Sequence, residues 1–330
     1  CQPLVQQAGR PQADFRGPRL EPDALVAADG TRLPMQVWPA LDATGQTVKP
    51  WAAIVGLHGM NDHSGGFQLP AAYWASQGVV TYAYDQRGFG RAPDRGVWGG
   101  EALMVQDLHV AVALVRARHP GVVVAVVGES MGGAAAIAAF ASDDPPAADR
   151  VILASPAVWG WRDQGPPASA TLWLGAHLMP ASRLTAPEWL ARRILASDNL
   201  DELRRMGRDP DMIFATRIDT VYGLVSLMQQ AQARIGQVRA PLLFQYGAHD
   251  EIIPKSAAFR AARKLRSNER SAYYSTGWHL LLRDVERRKV LDDILAFMHD
   301  PSAPLPSGAP PIPGAPAASG VSMMQGAGAE

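Results

Sequence analysis

The stretch Gly128-Glu129-Ser130-Met131-Gly132 decides the reading of this chain. It has the form G-x-S-x-G. The apolar run Val122–Val127 precedes it and reads as a buried strand. Gly133-Ala134-Ala135-Ala136-Ile137-Ala138-Ala139-Phe140 follows, small and helix-forming. Strand, sharp turn and helix together lift a serine Oγ to the end of a sheet. Glycine at 128 and 132 removes Cβ atoms that would clash in so tight a turn. The five residues alone match often by chance, so the flanking elements carry the weight.

A serine hydroxyl is a poor nucleophile until a base takes its proton, and the base needs an acid to orient it. After a turn of this kind the partners follow in the order Ser, Asp or Glu, His. Pro241–Tyr246 reads as a second buried strand and runs into Gly247-Ala248-His249-Asp250-Glu251. Asp250 therefore falls at the carboxyl end of a strand, where open α/β sheets gather catalytic groups. Ser271–Tyr274 forms a short strand leading to Gly277-Trp278-His279, just ahead of a helical stretch from Asp284 to Met298. The candidate catalytic set is Ser130, Asp250 and His279. Glu251 is the rival acid, but it leads into the next turn. His249 is the rival base, but it adjoins the acid and comes too early.

Ala52–Leu57 is another apolar run, ending in His58-Gly59-Met60-Asn61-Asp62-His63-Ser64-Gly65-Gly66. A His-Gly loop after an early strand supplies the second donor of an oxyanion hole. The expected donors are the backbone N–H groups of Met60 and of Met131, the residue after the serine. His58 and His63 raise the question of a metal, but no carboxylate or cysteine cluster has the spacing to complete a site. No metal and no cofactor is expected.

Five blocks carry a resemblance: His58–Ser64, Tyr84-Asp85-Gln86-Arg87-Gly88-Phe89-Gly90, Gly128–Gly133, Tyr246–Asp250 and Gly277–His279. In that order and spacing, the chain resembles the monoacylglycerol lipase and lysophospholipase group of α/β-hydrolases, a branch of the serine aminopeptidase-like hydrolases. The resemblance implies an α/β-hydrolase fold: a mostly parallel central sheet flanked by helices, with an inserted helical cap. It also implies cofactor-free hydrolysis of carboxylic esters of lipids with one acyl chain. Many relatives have His before the nucleophile; this chain has Glu129. The loop of Asp85, Arg87 and Arg91 reads as scaffold.

With 31 basic and 31 acidic residues in 330, the chain offers no electrostatic reason to bind nucleic acid. At 47% hydrophobic it can bury a large core. It contains no apolar run of about 18 residues or more, the length that reads as a membrane-spanning helix. The sole cysteine is residue 1, so no internal disulfide forms. Cys1-Gln2-Pro3 and the polar stretch after it resemble the mature end of a bacterial lipoprotein. That implies an acylated Cys1, membrane association and, with Gln rather than Asp second, a place in the outer membrane of the cell envelope. The alternative is a cut at an arbitrary cysteine and a cytoplasmic protein.

Along the chain, residues 1–20 read as a flexible tether, 21–155 and 238–299 as the α/β core, and 156–237 as a cap. Residues 300–330, rich in Pro, Gly and Ala, read as a disordered tail. Ala24–Trp38, with Asp29-Gly30 at its centre, reads as a β-hairpin. The cap segment is rich in Trp, Leu and Met, which suits an acyl chain; Trp159, Leu178, Met179 and Tyr222 are the candidate substrate contacts. Rival functions are an aminopeptidase, which needs cap acids such as Glu188, Asp198, Asp201 or Glu202 to hold an amine, and an acyltransferase. A non-catalytic lipid-binding surface lipoprotein is a further reading from another class.

Overall fold

The computed structural model describes residues 2–187, 189 and 193–317. Its strands are β1 (Arg19–Glu21), β2 (Ala24–Val26), β3 (Arg32–Trp38), β4 (Ala52–Leu57), β5 (Val79–Tyr84), β6 (Val123–Glu129), β7 (Arg150–Ala154), β8 (Arg183–Leu184), β9 (Thr216–Arg217), β10 (Leu242–Gly247) and β11 (Arg270–Tyr274). All but β8 and β9 form one nine-stranded sheet in the order β1-β2-β3-β5-β4-β6-β7-β10-β11. Along that order the pairings from β5 to β11 are parallel, and β1 to β3 add an antiparallel edge that joins β5 through β3. The continuous apolar runs of β4, β5 and β10 follow from burial on both faces.

Helices α1 (Gln68–Ser76) and α9 (Arg287–His299) cover one face of the sheet. In α9 the buried residues Val290, Leu291, Ile294, Phe297 and Met298 recur at helical spacing, so one stripe meets the sheet. Helices α2 (Glu101–Arg118), α3 (Met131–Phe140) and α8 (Lys255–Ala262) cover the other. Every residue of α3 is buried. A helix apolar all round needs cover on all sides, and this explains the next feature.

Between β7 and β10 lie α4 (Trp161–Gln164), α5 (Pro166–Leu178), the β8–β9 pair, α6 (Leu200–Met206) and α7 (Ile218–Arg234). The cap expected at 156–237 is mixed rather than purely helical, because Arg183 and Leu184 pair with Arg217 and Thr216. Its last helix is also part of the body. Val225, Leu227, Met228 and Ala231 of α7 join the main core beside α3.

The described parts of both ends are more ordered than their composition implies. Residues 2–20 do not hang free. Val5 bridges to Trp98, Gln6 N–H donates to Trp98 O at 2.9 Å, and Leu4 N–H donates to Asp219 Oδ2 at 3.2 Å. Cys1 lies outside the described residues, as does the tail beyond residue 317. Residues 301–317, expected to be disordered, run as a strap along β11. Tyr273 N–H donates to Pro310 O at 2.7 Å, and Ile312 N–H to Ser271 Oγ at 3.0 Å. Ser307 donates from both N and Oγ to buried Asp293. Leu305 and Ile312 are the apolar anchors within this proline-rich segment, and both are buried. Ile312→Ala should therefore lower unfolding free energy by roughly 2–5 kcal/mol in urea denaturation, the cost of emptying a core site. A disordered tail would show no change.

Candidate active site

Strand β4 pairs with β5 on one side and β6 on the other, so the connections leave in opposite directions. Such a switch point opens a crevice at the carboxyl ends of the strands. The loop 58–67 leaves β4 there, and Ser130 leaves β6. Ser130 has φ 53° and ψ −115°, a left-handed conformation that side chains rarely adopt. The surrounding structure holds it: Ser130 N–H donates to Ala154 O at 3.1 Å, and its carbonyl accepts from Ala134 and Ala157. Glycine is required on both sides. A Cβ on Gly128 would lie 2.5 Å from Gly132 O, and one on Gly132 would lie 2.2 Å from Leu57 O.

The structure brings Ser130, His279 and Asp250 together from three separate loops. His279 Nε2 is 3.0 Å from Ser130 Oγ, and His279 Nδ1 is 2.8 Å from Asp250 Oδ2. The carboxylate side fixes the proton on Nδ1, which leaves Nε2 free to accept from the serine. Asp250 Oδ1 accepts the N–H groups of Ile252 and Ile253, both at 2.8 Å, so the acid is clamped. Burial pushes the His279 imidazolium down, but the Asp250 charge and hydrogen bond outweigh it, and the net direction is up. Glu251 points elsewhere and accepts Leu195 N–H. His249 is exposed and stacks on Trp278.

Met131 is the first residue of α3, where helix N–H groups face outward. Gly59 backs onto the serine: a Cβ there would sit 3.3 Å from Ser130 Cβ, so the chain enters Met60 beside the nucleophile. His58 is neutral scaffold. Its Nδ1 meets Gly59 O, its Nε2 accepts Gln86 N–H, and burial holds its pKa down. His63 Nδ1 accepts Gly65 N–H, so Nε2 carries the proton and donates to Asp209 Oδ2 at 2.9 Å. His63, Asp209 and Asp211 lie close together, but Arg205 and Arg91 already pair with the two carboxylates. This cluster clasps the cap to the β4 loop.

The four cap residues scatter. Trp159 packs against the main core, two residues beyond Ala157, whose N–H reaches Ser130 O. Tyr222 sits between Trp161 and His177, with ring centroids 5.1 and 5.7 Å away. Leu178 and Met179 are exposed and help line an apolar surface basin of ≈ 670 Å3 with Leu172, Leu174 and Leu184. That lining includes none of Ser130, Asp250 or His279. Sequence reasoning missed Arg283. It is buried and donates to Asp62 and Glu129. The available signal was Glu129 itself, since a charge at the end of a buried strand needs a counter-charge.

A mostly parallel sheet, a strained serine at its switch point and an insertion after β7 are the fold of an α/β-hydrolase. Comparison with known sequences narrows this. The chain belongs to the family described as serine aminopeptidase, S33, whose sequence profile matches residues 48–286. It is 25% identical over 289 residues to the monoacylglycerol lipase of Mycolicibacterium smegmatis, covering 83% of this chain and 95% of that one. It is 25% identical over 304 residues to the human monoglyceride lipase, covering 87% and 93%. Among solved structures it is similar to a soluble variant of the Saccharomyces cerevisiae monoglyceride lipase, with TM-score 0.69 and 16% identity over 87% of this chain and 96% of that one.

The loop that carries His279 is also tied to the cap. Asp284 Oδ2 accepts Trp278 N–H at 2.8 Å, and Asp284 Oδ1 accepts Ser197 Oγ–H at 2.6 Å. Burial pushes this carboxyl up to about 7, against those two bonds, with Asp198 and Glu129 adding to the rise. The folded pKa thus lies above the ordinary 3.8. The folded state holds the proton more tightly, so this contribution is greatest at acid pH and declines as pH rises through about 7. Asp284→Asn should remove that decline. Its melting temperature should gain on the wild type between pH 5 and pH 8, whereas a constant difference between the two proteins would contradict the shift.

Proposed function

We propose that this protein is a serine hydrolase of carboxylic esters, acting on lipids with one acyl chain: monoacylglycerols first, lysophospholipids second. The observation that carries the reading is the relay from Ser130 Oγ through His279 to Asp250. His279 takes the serine proton as Oγ attacks the ester carbonyl. The Met60 and Met131 N–H groups hold the oxyanion, donors fixed before the charge develops. Asp250 orients His279 and stabilises its cationic form. His279 then protonates the departing alcohol, and water releases the fatty acid by the same route. The monoacylglycerol lipase relatives, each matched over most of its length, support this substrate class.

The cap favours an ester over a free-amine substrate. Asp198 accepts Val285 N–H, Asp201 pairs with Arg204, and Glu202 pairs with Arg205 and Arg283. Glu188 lies outside the described residues. The three described acids counted on to hold an amine are thus engaged within the protein. An acyltransferase shares the same acyl-enzyme and differs only in the acceptor. Membrane attachment through an acylated Cys1 belongs to the same reading and rests on the Cys1-Gln2-Pro3 sequence alone.

The test is fatty-acid release from monoacylglycerols, lysophospholipids, aryl esters and aminoacyl anilides. Ester hydrolysis should dominate, and Ser130→Ala should lower kcat by roughly 10^4-fold or more. Preferred release of amines from the anilides would replace the ester reading with the aminopeptidase one. No turnover of any substrate by folded protein would favour a lipid-binding role.

A further inference from the structure

Arg283 is only 1% exposed, and the acyl-transfer steps do not use it. Its Nη2 donates to Asp62 Oδ2 at 2.6 Å and to Glu129 Oε1 at 2.5 Å, and its Nη1 lies 3.5 Å from Glu202 Oε1. Asp62 is on the β4 loop, two residues past Met60. Glu129 ends β6, immediately before Ser130. Glu202 is on α6, and Arg283 itself lies four residues beyond His279. One guanidinium therefore joins the oxyanion loop, the nucleophile turn, the histidine loop and the cap.

The acids outnumber the cation. Glu202 is also paired with Arg205 at 2.8 Å, which leaves one Arg283 facing both Asp62 and Glu129. Among the described residues, the second oxygen of Glu129 and the Nε of Arg283 are buried without hydrogen-bond partners. Burial pushes the Glu129 carboxyl up, and Arg283 draws it back only in part. The neighbours of His279 are Asp250 from the loop after β10, Glu129 from β6 and Arg283 from its own loop. Those of Glu129 are Arg283, Asp62 and His279. Asp284 beside Arg283 also feels Glu129. Glu129 directly precedes Ser130, whose Oγ is 3.0 Å from His279 Nε2, so a charge on Glu129 is felt by the imidazole that turns cationic during each half-reaction.

We propose that Glu129 is a positioning residue for ester hydrolysis at Ser130: tethered by Arg283, it acts through His279, stabilising the imidazolium that forms as Ser130 gives up its proton. The inference rests on the serine hydrolase reading above. A buried charge here costs folding stability.

The test is the pH profile of kcat and KM on a soluble short-chain ester for wild type, Glu129→Gln and Glu129→Asp, with Ser130→Ala as control. Glu129→Gln should lower kcat about tenfold while KM moves less than about twofold, the pattern of an interaction made in the transition state. The acid limb of kcat/KM should shift to lower pH by roughly half a unit, since removing a nearby anion lowers the His279 pKa. Glu129→Asp keeps the charge but draws it back, so its acid limb should shift in the same direction by less than that of Glu129→Gln. A purely structural role would lower stability but leave the limb in place. Folded Glu129→Gln with wild-type kcat and limb would overturn the proposal. If Glu129→Gln does not fold, Glu129→Asp decides: its charge is drawn back by one methylene, so kcat should fall several-fold at unchanged KM, and an unchanged kcat overturns the proposal. Wild-type protein without Ser130-dependent hydrolysis would sink the hydrolase reading along with this one.

Discussion

Helix α3 crosses the end of β4 so closely that a Cβ on Gly132 would sit 2.2 Å from Leu57 O. That approach sets much of the rest. The helix must carry glycine at its second position, and the turn before it must bend sharply enough to hold Ser130 at φ 53°. The same closeness puts the loop after β4 beside the serine, with Gly59 against Ser130 Cβ. It also draws α3 wholly into the interior, where α2 and α7 must cover it. The cap is consequently rooted: α7 is both its last helix and a wall of the core.

Charge around this point is arranged against the usual preference of interiors. Arg283 with Asp62, Glu129 and Glu202 is buried at the active-site end of the sheet. Arg87 forms a second buried knot, held two-pronged by Asp107 and by Asp29. The two differ in balance. Arg87 fixes the β5–α2 loop to the hairpin and to α2, with each carboxylate presenting both oxygens. Arg283 makes single-pronged contacts to segments that meet only at the active site. The first is scaffold of the kind expected for the Asp85–Arg91 loop. The second couples parts that the reaction uses together.

The chain order of Ser130, Asp250 and His279 was legible because each follows an apolar run that had to be a strand, and strand ends are where this architecture collects side chains. The expectation of donors at Met60 and Met131 came from the same logic. The pairing of Glu129 with Arg283 spans 154 residues, and no local pattern encodes it. The termini misled for a related reason. Composition alone favours disorder after residue 300, yet Leu305 and Ile312 are spaced to reach the core, and prolines between them hold an extended path. Cap contacts were the least legible, since Trp, Leu and Met serve cap packing, exposed surface and substrate alike.

Sheet edges are where folded chains recruit one another, because an outer strand leaves a row of unpaired backbone groups. Here β11 ends the sheet on one side, and a proline-rich strap lies along it, touching at Tyr273 and Ser271 without forming a ladder. Proline has no N–H to offer a newcomer. On the far side β1 is three residues long and carries Arg19 and Glu21. Among the described residues, the cap thus exposes apolar side chains, including Trp173, Leu178 and Trp189, while the main sheet offers little backbone on which a neighbour's strand could template. Stickiness and strand pairing are thereby kept apart among the described residues: a neighbour drawn to the greasy cap meets side chains, not an open edge of the main sheet.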